Sequence, residues 1–63
     1  MEGWQERVIQ EKGELGIKID KLEIFMRSSA FAKLDDYAQK LLIRQNDAMY
    51  SYFSILKVRV EGF

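Results

Sequence analysis

The stretch DDYAQKLLIRQNDAMYSYFSILKVRVE, Asp35 to Glu61, decides the fold. Two apolar series run through it. Leu34, Leu41, Ala48 and Ile55 recur every seven residues, and so do Leu42, Met49, Leu56 and Phe63 one position later. Ala38 and Tyr52 widen the face. Such spacing is that of an amphipathic helix, not of a strand, where alternate residues would be apolar. Asp35 and Asp36 open the segment, where acidic side chains suit the positive end of a helix. Gly62 follows its last turn, where a glycine stop is expected.

Upstream, Glu2 to Arg27 reads the same way. Val8, Leu15 and Leu22 recur every seven residues, with Trp4, Ile19 and Phe25 close beside them. Ile17 and Ile24, with Ile9 near them, form a second apolar line around the cylinder. A hairpin needs one stripe, so the second line calls for another partner. Glu14 and Lys18 have the favourable i,i+4 order for a helix surface pair. Gly13 and Gly16 each cost roughly 1 kcal/mol relative to alanine in a helix interior. They either split the segment or permit a close helix or ligand approach, and one continuous, locally weakened helix is the expectation.

Ser28 and Ser29 mark the turn. Serine caps a helix well, and Phe31 and Leu34 can tuck a short helical turn under the hairpin. Each long segment spans roughly 40 Å at 1.5 Å per residue. Equal lengths and a short joint give an all-α antiparallel helical hairpin with a short connecting helix or turn, one domain over residues 1–63. No proline interrupts it.

Sixty-three residues seldom bury enough core to stand alone. Without cysteine there is no disulfide or thiolate metal site, and without histidine the usual zinc ligand and general base are missing. Oligomerisation is the remaining staple, so a homo-oligomer is expected. The apolar fraction of 48%, with eight aromatics among it, is a large load for one hairpin and points the same way. Gln45, set between Leu41/Leu42 and Ala48/Met49, is expected at an interface, where a buried glutamine fixes register.

Ten basic and ten acidic residues cancel. Domains that bind long nucleic acid carry a basic excess, so that partner is not expected; a small anionic ligand needs only a few local cations. No apolar run approaches the roughly 20 residues that cross a bilayer, and no apolar signal core marks the chain for secretion. The carboxylates Glu6, Glu11 and Glu14 read as a solvated helix face. A carboxylate di-metal bundle needs Glu-x-x-His pairs, and none occurs. No cofactor, metal or catalysis is expected.

What remains are cations near aromatics. Trp4 lies one turn before Arg7 and Val8, Lys18 and Lys21 lie three apart, and Arg59 is within helical reach of Tyr52, Phe53 and Phe63. Aromatic faces can stack on nucleobases, and Lys or Arg can pair with phosphate. Each residue also has a plainer role: Trp4 as part of the core, the lysines as solvated charges, Arg59 as a partner of the negative helix end. Spacing alone does not choose between them.

The string WQERVIQEKGELGIKIDKLEIF, Trp4 to Phe25, carries Q-x-R-V, E-K-x-E-L and K-I-x-K-L followed by phenylalanine. Phe31 and Leu34 give F-x-x-L, Leu41 and Leu42 a leucine pair before Gln45, and Ala48 to Phe63 gives A-M-x-x-Y-x-x-I-L-x-x-R-V-x-x-F. Nearly the whole chain thereby resembles the phage anti-CBASS sponges of the second type. The resemblance implies a compact helical hexamer of interlocked protomers in the cytoplasm of the infected bacterial host. It implies capture, without cleavage, of cyclic oligonucleotide immune signals. Cyclic dinucleotides such as cyclic GMP–AMP would bind between protomers, and cyclic trinucleotides at a separate site. It further implies a base-stacking role for Trp4, a phosphate contact from Lys18 or else Lys21, and a trinucleotide contact from Arg59. Gly13 and Gly16 depart from the family pattern, which has alanine and an acidic residue there, and this bears on ligand preference.

Overall fold

A computed structural model describes residues 1–63 as three helices, α1 (Gly3–Met26), α2 (Ser29–Ala32) and α3 (Asp36–Glu61), with no strand. Contacts between the long helices run in opposite directions along the chain. Trp4 meets Phe63 at one end, Gly16 lies beside Phe53 midway, and Glu23 bonds Tyr50 nearer the turn. The hairpin is antiparallel, and the molecule is a rod of 46 × 15 × 14 Å.

Local chemistry sets the helix ends. The Glu2 backbone N–H donates to Gln5 Oε1 at 2.8 Å and satisfies a donor at the start of α1. At the turn, Ser28 donates its hydroxyl to the Phe25 carbonyl and accepts from the Phe31 N–H, ending one helix and capping the next. Asp35 caps α3, its Oδ1 accepting from the Ala38 N–H at 2.8 Å. Gln39 reaches back from α3, and its Nε2 donates to the carbonyls of Phe31 and Leu34 at 3.1 and 3.0 Å. This side chain ties the connector to α3. The Phe25 and Phe31 rings meet edge to face at 6.3 Å beneath it.

α1 runs unbroken through Gly13 and Gly16, as expected. Gly16 has a packing reason: a Cβ there would sit 3.4 Å from Phe53 Cε2. A Cβ on Gly13 would meet nothing within 4 Å. Gly62 ends α3 as its C-cap, where a glycine stop was expected, but without a left-handed conformation. Its φ is −83°, a right-handed conformation open to any residue, and its N–H bonds the Val58 and Arg59 carbonyls.

Val8, Leu15, Ile19 and Leu56 form the core, and Met49, Phe53 and Val60 pack against it. The inward face of α1 is the one read from the sequence. On α3 only the Leu42, Met49, Leu56 series turns inward. Leu41 (44% exposed) and Ile55 (59%) lie outside, as does Tyr52, which the sequence placed on the widened inner face. Successive residues on a helix are 100° apart, so adjacent heptad series cannot share one seam. Gln45 is likewise exposed within the hairpin, with Nε2 3.8 Å from Met49 Sδ.

Asn46, half-buried on α3, has a buried Oδ1 with no hydrogen-bond partner. A buried unpaired acceptor costs about 1–3 kcal/mol. Asn46→Leu, branched at the same carbon, larger, and free of that cost, is expected to raise the urea midpoint of unfolding, by roughly 1 kcal/mol in stability. A lowered midpoint would show that Oδ1 is bonded in solution.

Candidate ligand-binding surface

The sequence singled out Trp4, Lys18, Lys21 and Arg59, and all four are exposed. Trp4 is 47% exposed. Its ring packs perpendicular to Phe63, with centroids 5.2 Å apart, so it is a boundary residue: partly core, partly available. Arg59 lies one helical turn before Phe63, on the same side of α3. Trp4 and Arg59 therefore both lie toward the open end of the hairpin, where the two chain termini meet.

Lys18 is fourteen residues along α1 from Trp4, a distance of roughly 21 Å at 1.5 Å per residue. Fourteen residues are close to four full turns, so the two side chains leave the helix on nearly the same side. Lys21 is rotated about 60° further, away from that side. A single protomer thus aligns Trp4 and Lys18 on one side but does not bring them together.

Two clefts lie on the other side of the hairpin, and neither is obvious in the sequence. The larger, a groove of about 450 Å³, is bounded by Ile9, Lys12, Gly13, Gly16, Asp20 and Phe53, among others. The Lys12 ammonium stands 5.7 Å from the centre of the Phe53 ring, a cation–π contact across the helix pair. The two glycines were the only sign of this groove in the sequence, and Phe53 joins them only through the register of α3 on α1.

The smaller cleft, of about 280 Å³, is formed by Glu23, Met26, Arg27 and Asn46. The Tyr50 hydroxyl donates to Glu23 Oε2 beside it at 2.8 Å. That bond holds the Tyr50 phenol above its ordinary pKa; desolvation and the charges of Glu23 and Asp20 act in the same direction.

No group of three or more acidic, histidine or cysteine side chains is gathered where it could hold a metal ion. No helix is long and apolar enough to cross a membrane.

The Sequestin family model matches residues 2–61. The chain is 35% identical, over its whole length and 98% of the other's, to an uncharacterized 7.5 kDa protein in the denB-rIIB intergenic region of Enterobacteria phage T4. No solved structure matches the chain. A family match from one end of the hairpin to the other, with a phage relative of nearly the same length, bears out the small-phage-family resemblance read from the sequence: the chain belongs to the Sequestin family.

Proposed function

We propose that this protein is an anti-CBASS sponge: a homo-oligomer, in the cytoplasm of the infected bacterial host, that sequesters cyclic di- and trinucleotide immune signals without cleaving them. The observation that carries the reading is the family match over residues 2–61, which spans both long helices. The family's name denotes sequestration, and the relative is a phage protein.

The surface chemistry supports it. A stoichiometric binder needs no nucleophile and no general base, and the chain has neither histidine nor cysteine to serve as one. It needs aromatic faces, worth about 1–3 kcal/mol per stacked base, and cations for phosphate. Trp4 would stack on a base, Lys18 or Lys21 would meet phosphate of a dinucleotide, and Arg59 would serve the trinucleotide. The roughly 21 Å between Trp4 and Lys18 in one protomer favours pockets built between copies. The order of the oligomer in this reading is the hexamer of the family.

Titration calorimetry against cyclic dinucleotides, including cyclic GMP–AMP, and cyclic trinucleotides tests the reading. Binding at micromolar protein is expected, with the ligand recovered intact by chromatography. Losing a charge-assisted contact worth about 1.5–3 kcal/mol weakens binding on the order of 10- to 100-fold. Lys18→Ala is expected to do so for the dinucleotide and Arg59→Ala for the trinucleotide. Silence across the whole panel would overturn the sponge and leave the second reading, a structural or adaptor oligomer, which the exposed apolar faces of both helices favour.

A further inference from the structure

The smaller cleft, near the turn of the hairpin, gathers polar groups that the hairpin itself leaves without full partners. Its volume is about 280 Å³, at the low end of ligand pockets, which start at roughly 300 Å³. It has room for one ring system and not for a whole cyclic dinucleotide. Glu23 and Arg27 are four residues apart on α1, so they are neighbours on one face, with Cβ atoms roughly 5–6 Å apart. Met26 and, from α3, Asn46 complete the lining.

Glu23 is half-buried, and the one hydrogen bond of its carboxylate comes from a neutral phenol: Tyr50 donates to Oε2 at 2.8 Å. That bond fixes the carboxylate and leaves Oε1 open. A carboxylate has about four acceptor sites, so most of its capacity is unused. Asn46 Oδ1 is buried with no partner at all. Rotation about χ2 exchanges the two ends of the amide, so Asn46 can turn either an acceptor or donors to the cleft. The charges of Glu23 and Asp20 both act on the Tyr50 phenol. The field there is negative, and phosphate is not drawn to it.

An acceptor beside a donor selects the edge that fits. A carboxylate takes two parallel N–H donors, and a guanidinium gives to a carbonyl. The matching edge carries donor, donor and acceptor in a row. Among the nucleobases guanine has it, as exocyclic amine, ring N–H and carbonyl. Adenine and cytosine each offer a single amine beside acceptors, and uracil one N–H between carbonyls. A guanidinium or alkylamine would satisfy Glu23 but be repelled by Arg27.

We propose that this cleft seats a guanine ring, with Glu23 accepting from the ring N–H and the exocyclic amine, Arg27 donating to the carbonyl, the Asn46 amide at the ring edge and the Met26 thioether against its face. The seat uses none of Trp4, Lys18, Lys21 and Arg59. Lys18 leaves α1 about 140° around the helix from Glu23, so the seat is independent of the sponge reading.

Calorimetry and ligand-observed NMR on the full chain, with guanosine, inosine, adenosine and agmatine as probes, test this. Saturable guanosine binding at submillimolar concentration is expected. Inosine lacks only the exocyclic amine and is expected to bind about tenfold more weakly, with adenosine and agmatine at least as weak. Arg27 is exposed, so Arg27→Ala should keep its helicity by circular dichroism while guanosine affinity falls about tenfold and agmatine binds no more weakly. Glu23→Gln is expected to abolish the preference for guanosine over inosine, and Tyr50→Phe, which frees the carboxylate, to reduce it. Trp4→Ala should leave guanosine affinity within about threefold. Equal binding of inosine overturns the seat, as does agmatine bound as tightly as guanosine. So does guanosine binding lost in Trp4→Ala and kept in Arg27→Ala. A chain that binds cyclic GMP–AMP but not guanosine overturns the seat and leaves the sponge standing; one that binds guanosine and no cyclic oligonucleotide does the reverse.

Discussion

Replacing Leu56 by alanine is expected to destabilise the protein by about 2–5 kcal/mol, the range for a fully buried leucine truncated in a core that cannot collapse onto the gap. Leu56 is 0% exposed, the most enclosed residue of the chain, and it faces α1 where Val8, Leu15 and Ile19 converge. Domains hold roughly 0.05–0.15 kcal/mol per residue, so a chain of this length has on the order of 3–9 kcal/mol in total. One truncation therefore removes a large share of it. Urea unfolding followed by circular dichroism is the measurement. Val58→Ala is the control: Val58 lies two residues away but is 66% exposed, and its change is expected within about 0.5 kcal/mol of zero. Equal losses at the two positions would mean that the register of α3 on α1 is wrong.

That register marks the limit of what the sequence discloses. The helix bounds were legible to within about a residue, because capping is local: Ser28 and Asp35 act on backbone groups three positions away. The inward face of α1 was legible because one seven-residue series dominates it. α3 carries two adjacent series of similar apolar content, and nothing local says which turns inward. The choice is made by packing, where Leu56 and Met49 fill the space between the α1 side chains. Contacts between helices were hidden for the same reason. The Phe53 ring against Gly16, the Trp4–Phe63 pair and the Tyr50–Glu23 bond all depend on the stagger of α3 along α1. Gln39 was missed because its three carbonyl partners lie in the connector, whose path no periodicity describes. Among the candidate ligand residues, the sequence supplied the types and the structure supplied the separation, with Trp4 and Arg59 at one end and Lys18 well along the rod.

The second large effect concerns the α3 series that packing left outside. Leu41, Gln45, Ala48, Tyr52 and Ile55 are spaced four, three, four and three apart, which is the spacing of a helix seam between chains. All five are exposed in the hairpin. Only 4 of the 63 residues are buried in the single chain, too few for a domain of this size to be secure alone. If the proposed oligomer forms along this seam, Ala48 is its middle, and its small side chain lets the helices close. Ala48→Arg then places a charge where water is excluded, at an effective cost of several kcal/mol. The assembled mass at micromolar concentration is expected to fall at least to half. Because assembly stabilises by mass action, the urea midpoint should fall too and become less dependent on protein concentration. The ligand result is the sharper one. Ala48→Arg leaves Trp4, Lys18, Lys21 and Arg59 intact, yet cyclic dinucleotide binding should be lost together with the assembly if the pockets are built between copies. Binding that survives in a dissociated variant would place the complete pocket on one hairpin. A variant of wild-type mass would remove the seam from the interface altogether.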